Sequence, residues 1–150
     1  EGETINTPSM LCVEDYLDAL RWAESVGGLD GLIARADANA KVLFDWIDST
    51  PWIANLSEDR TTWSNTGVCL KFVDSALTAL SADAQAAFAK SVVALLEKEG
   101  VALDAGSYRD APPGLRIWTG STVEKSDVEA LIPWIEWAFA EAKAALAKAA

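Results

Sequence analysis

The sequence contains no histidine. That absence removes every Ser-His-Asp and Cys-His arrangement, and with them the side chain best suited to general acid–base work near neutral pH. Only two cysteines occur, Cys12 and Cys69, in unrelated contexts. They make neither a disulfide framework nor a metal-ligand spacing, and without imidazole a zinc site would need unusual ligands. Positive charge is scarce: 12 Lys and Arg stand against 23 Asp and Glu, for a net charge of −11. Such a field repels nucleic acid phosphates and anionic membrane surfaces, and no basic patch interleaved with aromatics offsets it. No apolar run approaches the ~18 residues of a membrane span, and the front carries no charged-then-apolar leader. The expectation is a cytoplasmic, reduced protein that binds no nucleic acid, membrane or metal.

What is present is one domain's worth of chain. At 150 residues, 51% hydrophobic and 23% charged, it has enough apolar surface for a real core. It begins Glu-Gly-Glu-Thr rather than with Met, and is read as an excised C-terminal piece of something longer.

Periodicity organises the rest. Residues 1–6 read as extended and polar. Thr7-Pro8 then suits a helix entry, with Thr as N-cap and Pro at the first helical position. Val13, Tyr16, Leu17, Leu20 and Ala23 follow at helical spacing up to Gly27-Gly28. A second helix is expected from Asp30 to Ile47, with Asp48 to Pro51 breaking it. Residues 52–65 suggest a strand leading into a loop. Val68, Leu70 and Phe72 alternate with Cys69, Lys71 and Val73, as a half-buried strand does. A third helix spans about Asp83 to Glu99, and Gly100 closes it. Val101–Ala105 and Leu115–Thr119 read as two further short strands. Ser126 and Glu129 have capping-box spacing ahead of a last helix running to the C-terminus. The expected class is α+β, with helices on one side of a short, mostly antiparallel sheet.

Two constellations stand out. In SYRDAPPGLRIW, Arg109 and Arg116 flank Pro112-Pro113-Gly114. Arginine offers a rigid fork of donors that matches carboxylate or phosphate oxygens two at a time. The stiff turn between the two would let both forks reach one cleft. The plainer reading pairs them on the surface with Asp110 or a nearby Glu. Arg116 is set apart because it interrupts an apolar strand, between Leu115 and Ile117. The second constellation is TINTPSM, which places Asn6 and Thr7 at an expected helix N-terminus, where unpaired amides and the helix dipole favour an anion; capping alone explains Thr7 equally well. The seven tryptophans, among them Trp22, Trp46, Trp134 and Trp137, read as core or interface residues, and both cysteines as small buried hydrophobes.

INTPSM opening a helix, SNTGVCLKFVD on a strand and YRDAPPGLRIWTGSTVEKSDVEAL before the last helix together resemble phosphoserine aminotransferase. The likeness is to the branch found in alpha-proteobacteria and some archaea, and it covers essentially the whole chain. It implies a fold-type I, class V aminotransferase that is a homodimer using pyridoxal phosphate. The implied reaction moves the amino group of glutamate to 3-phosphohydroxypyruvate, giving phosphoserine and 2-oxoglutarate in serine biosynthesis, with a part in vitamin B6 synthesis in many bacteria. On this resemblance residues 1–8 are a lead-in from the large cofactor domain, and residues 9–150 are the small C-terminal domain. Arg116 corresponds to the arginine that grips the α-carboxylate of both substrates. Arg109 falls where the family has a basic residue near the substrate phosphate or the glutamate side chain, and Tyr108 stands where the better-known bacterial branch has histidine. Asn6 and Thr7 match an Asn-Thr pair that reaches the cofactor phosphate of the other subunit. The cofactor-binding lysine, the aspartate at the pyridine nitrogen and the stacking aromatic fall upstream of residue 1, so the fragment alone is expected to be inactive. Two alternatives remain open: another class V aminotransferase of the alanine–glyoxylate type, and a non-catalytic dimerisation or binding module.

Overall fold

Residues 4–149 are described by the computed structural model. The polar start expected at residues 1–3 lies outside the described residues.

Helix α1 spans Met10–Ser25. Its N-cap is Ser9, whose side chain accepts from the Cys12 amide at 3.4 Å. The expected Thr7-Pro8 entry is therefore corrected: the serine hydroxyl, two residues later, reaches the third amide of the helix, and Pro8 precedes the cap. No residue of α1 is buried. The apolar stripe read from the sequence exists, but Tyr16, Leu17 and Leu20 on it stay exposed, as does Cys12. The reason is that α1 packs along α2 and along no other element to any extent.

Helix α2 spans Gly28–Ser49, starting two residues before the expected Asp30. The reversal between α1 and α2 runs through Gly27 at φ 103°, a left-handed conformation that a side chain would resist. One face of α2 carries Ala36, Ala40, Leu43 and Ile47 into the core, with Asn39 buried among them.

Three antiparallel strands follow, β1 (Ile53–Asn55), β2 (Gly67–Phe72) and β3 (Leu115–Trp118), in the order β1-β2-β3. The alternation read over 68–73 is observed in β2. Val68 pairs with Ile117 and Leu70 with Leu115, all four buried. The strand expected at Val101–Ala105 does not form. Asp104 turns the chain at φ 55°, and the pairing with β3 is reduced to the isolated bridge Gly106–Leu115.

Helix α3 is a single turn, Ser75–Thr78, and was not expected; α4 spans Ala82–Lys98 with Ser81 as its cap. Helix α5, Lys125–Ala149, begins one residue before Ser126. Ser126 therefore lies inside the first turn, and the Glu124 carbonyl accepts from the Asp127 and Val128 amides. The capping-box expectation is corrected accordingly.

Helices α2, α4 and α5 pack together over one face of the sheet, and that face supplies Ile53, Val68, Leu70, Leu115 and Ile117 to the core. Phe139 of α5 stacks on Trp52 with ring centroids 3.8 Å apart, and Phe72 and Phe88 complete the aromatic cluster. Trp46 is buried, and its indole N–H donates to Glu136 at 3.0 Å. This is the α+β layering expected from the sequence. Cys69 and Lys71 of β2 and Arg116 and Trp118 of β3 alternate onto the opposite face, where none is fully buried.

Candidate functional site

The open face of the sheet is set by how the chain enters β3. At Gly114 a Cβ would come within 1.9 Å of the Leu70 carbonyl oxygen, so only glycine lets the Pro112-Pro113 turn lie against β2 there. Two residues on, Arg116 stands opposite Cys69 on the open face, and its amide donates to the Ala105 carbonyl at 2.8 Å. The strand pattern thus delivers one cation into a row of apolar neighbours, as the sequence suggested.

The Arg116 side chain is only 19% exposed. Its Nη2 donates to Asp104 Oδ2 at 2.7 Å and to the Asp104 carbonyl at 3.2 Å. The Tyr108 ring covers the guanidinium, with Cζ 4.4 Å from the ring centroid. Nε is buried and finds no acceptor among the described residues. Buried polar groups are nearly always paired, and a charged donor left over is costly. Half of one guanidinium edge is therefore engaged and half is not. Leu56, Cys69, Tyr108, Pro112 and Leu115 line the small cavity beside it.

Arg109 is placed elsewhere. It is exposed and lines a groove of about 500 Å³ between α4 and the 106–114 loop, with Lys90, Val93 and Glu97 on the helix side. The expectation that both arginines reach one cleft is not met, since each lines a different hollow and the two hollows share Ser107, Tyr108 and Ala111. The surface pairing of Arg109 with Asp110 is absent too: among the described residues Arg109 forms no ion pair.

Asn6 and Thr7 are exposed and lie ahead of Ser9 rather than on the helix end. The Thr4 hydroxyl donates to the Asn6 carbonyl at 2.8 Å, a bond that uses neither the Asn6 amide side chain nor the Thr7 hydroxyl. Lys71 reads from the sequence as an alternating strand position and not as a site residue. It shares the open face with Arg116 and pairs loosely with Glu58 at 3.7 Å. The signal was in the alternation of β2, which puts Cys69 and Lys71 opposite Val68 and Leu70.

Among the described residues no three His, Cys, Asp or Glu side chains are grouped to hold a metal. Among the described residues no helix is long and apolar enough to cross a membrane.

No family model matches the chain. The phosphoserine aminotransferase of Methanosarcina mazei is 50% identical over 139 residues, covering 93% of this chain and 35% of the relative. That of Methanosarcina barkeri is 51% identical over the same length, with the same coverage. Among solved structures, phosphoserine aminotransferase from Bacillus circulans subsp. alkalophilus superposes with a TM-score of 0.75 at 23% identity, covering 91% of this chain and 34% of that one. The PLP-bound phosphoserine aminotransferase from Trichomonas vaginalis gives 0.71 at 22% identity, over 89% of this chain and 34% of that one. These superpositions establish the fold. The chain spans about a third of the length of the curated relatives it matches.

Proposed function

Along nearly its whole length the chain is a homologue of the phosphoserine aminotransferases, and we propose on that premise that it forms the substrate-clamping part of such an enzyme. The whole protein would transfer the amino group of glutamate to 3-phosphohydroxypyruvate, giving phosphoserine and 2-oxoglutarate. The observation that carries this reading is Arg116, a half-engaged guanidinium on the open face of the sheet, within a segment 50% identical to enzymes of that name.

Both substrates carry an α-carboxylate. The planar fork of Arg116 would donate to one bidentately, which fixes the substrate in rotation as well as position. With the carboxylate held, the bond at Cα to be broken is presented in one orientation, and such positioning accounts for large rate factors. Pyridoxal phosphate, when bound, supplies the electron sink that stabilises negative charge at Cα. Asn6 and Thr7 are exposed and carry side-chain donors that suit a phosphate, and in this reading they contact the cofactor phosphate in a second subunit. The lysine that holds the cofactor belongs to another part of the enzyme. Supporting this, Lys41, Lys125 and Lys143 are tied to Asp45, Glu129 and Asp74, and Lys90 lies exposed on α4. In the same reading residues 1–8 are a lead-in and 9–150 the small domain, the enzyme is a cytoplasmic homodimer, and the 150-residue chain alone is inactive. Arg109 contributes a second anion contact, from its groove toward the substrate phosphate or the glutamate side chain.

The test is Arg116→Ala in the whole enzyme. Two lost charge-assisted hydrogen bonds, at about 1.5–3 kcal/mol each, predict a KM raised by about 100-fold or more for both glutamate and the phosphorylated keto acid. An unchanged KM for both would overturn the assignment. A preference for an unphosphorylated keto acid in the unaltered enzyme would point to a different class V aminotransferase.

A further inference from the structure

We propose that Asp104 is a positioning residue that occupies Arg116 until a substrate carboxylate displaces it. The inference rests on the reading of Arg116 as the carboxylate clamp.

Asp104 presents to Arg116 the same chemical group that a substrate would, a carboxylate oxygen 2.7 Å from Nη2. It does so incompletely. Nε and Nη2 form one edge of the guanidinium, and a carboxylate approaching side-on fills both positions at once. Asp104 uses its carbonyl and one carboxylate oxygen, both on Nη2, and leaves Nε without an acceptor. A free carboxylate arriving at this edge recovers the hydrogen bond that Asp104 does not make.

The resident contact is built to be replaceable. The Asp104 side chain is 88% exposed, so water competes for it, and ion pairs of this kind are weak. Its backbone sits at φ 55°, a region that residues other than glycine enter at a cost, least for Asp and Asn. Tyr108 covers the guanidinium from the far side of an anchored stretch. The Ala105 carbonyl accepts the Arg116 amide, and Gly106 bridges to Leu115. Asp104 and Tyr108 flank these two fixed points, so rotating their side chains removes the carboxylate and the ring from Arg116 while the backbone, with the Asp104 carbonyl on Nη2, stays in place.

The consequence is a tax on affinity. A site open for only a fraction of the time binds its ligand more weakly by that fraction. Asp104 therefore raises the apparent dissociation constant of every α-carboxylate ligand by a common factor, whatever the rest of the ligand contacts.

Asp104→Asn in the whole enzyme tests this, because asparagine keeps the size and tolerates the same backbone conformation while losing the charge. The expected result is a fall of about two- to five-fold in KM for both glutamate and 3-phosphohydroxypyruvate, with kcat unchanged, the range set by an exposed ion pair. The dissociation constant for 2-oxoglutarate, measured by calorimetry, falls by the same factor. In an Arg116→Ala background the substitution has no effect on either quantity. If Asp104→Asn raises KM or leaves it alone while Arg116→Ala raises it steeply, Asp104 is not a competitor, and the clamp reading stands without it. If Arg116→Ala leaves KM unchanged, the clamp reading falls first and takes this inference with it.

Discussion

Asn39 Nδ2 donates to the Val123 carbonyl at 2.8 Å, joining the middle of α2 to the turn between β3 and α5. The same amide lies 3.2 Å from the carbonyls of Thr119 and Gly120, and the side chain is buried. One side chain thus holds the segment that leaves β3. Replacing Asn39 by Ala strands buried carbonyls and opens a cavity, and we expect a loss of about 2–4 kcal/mol in urea unfolding. Asn39→Asp should do no better, since a carboxylate cannot donate to those carbonyls.

Two glycines near the site make a contrasting pair. At Gly114 a Cβ meets the Leu70 backbone at 1.9 Å, and backbone cannot step aside. At Gly120 the Cβ meets the Trp118 indole at 2.2 Å, but that indole is 54% exposed and free to turn away. Gly114→Ala is therefore expected to cost at least ~1–3 kcal/mol and to disturb the β2–β3 pairing beside Arg116. Gly120→Ala should cost clearly less, and thermal unfolding of the two variants side by side checks the order.

The aromatic cluster predicts where the core is least forgiving. Phe139 stacks on Trp52 and lies edge-on to Phe88, and it is almost fully buried. Phe139→Ala should destabilise by about 3–5 kcal/mol, and Phe139→Leu by noticeably less, as read by chemical denaturation.

The link between α3 and α5 gives a pH dependence with a definite sign. Lys143 donates to Asp74 at 2.6 Å, and this bond, with those from the Ala76 and Leu77 amides, holds the Asp74 carboxyl below its ordinary value against the opposing effect of burial. A carboxyl depressed in the folded state stabilises fully above its unfolded pKa of ~3.9 and loses that contribution as the pH falls through the folded value. Asp74→Asn keeps the cap on α3 and removes the charge. With Lys143 partly exposed, we expect a deficit of about 0.5–1 kcal/mol at neutral pH that closes in acid. A deficit that persisted unchanged at low pH would contradict this account.

Much of this fold is legible because packing and sequence period agree. Leu43 and Ile47 of α2 and Val92 and Leu96 of α4 recur at helical spacing and are buried, and the alternation expected of Val68 and Leu70 in β2 is observed. The failures share a cause, in that each depends on something non-local. Periodicity identified an apolar stripe on α1 but carries no information on what lies against it. Val101–Ala105 has the composition of a strand, yet the chain turns at Asp104, and the backbone pairing next to it is the single bridge Gly106–Leu115. At the start of α1, two hydroxyl residues compete for one cap, and Ser9 takes it over Thr7. Arg116 itself is singled out by its place between Leu115 and Ile117 in an apolar strand. That Asp104 and Tyr108 attend it is not legible, because both reach it through a loop whose path no local pattern encodes. Asn39 left only a faint trace, a polar residue wedged between Ala36 and Ala40 on an otherwise apolar face.

The alternation along β3 divides labour by parity. Leu115 and Ile117 belong to the folding of the domain, while Arg116 and Trp118 on the other face belong to whatever meets it from outside. Substitutions at odd and even positions of this strand should therefore register in different assays, stability for the first pair and affinity for the second. A change in length is another matter. Adding or removing one residue between Gly114 and Arg116 would send the guanidinium into the core and a leucine or isoleucine onto the open face, so a single-residue indel here would cost both properties at once.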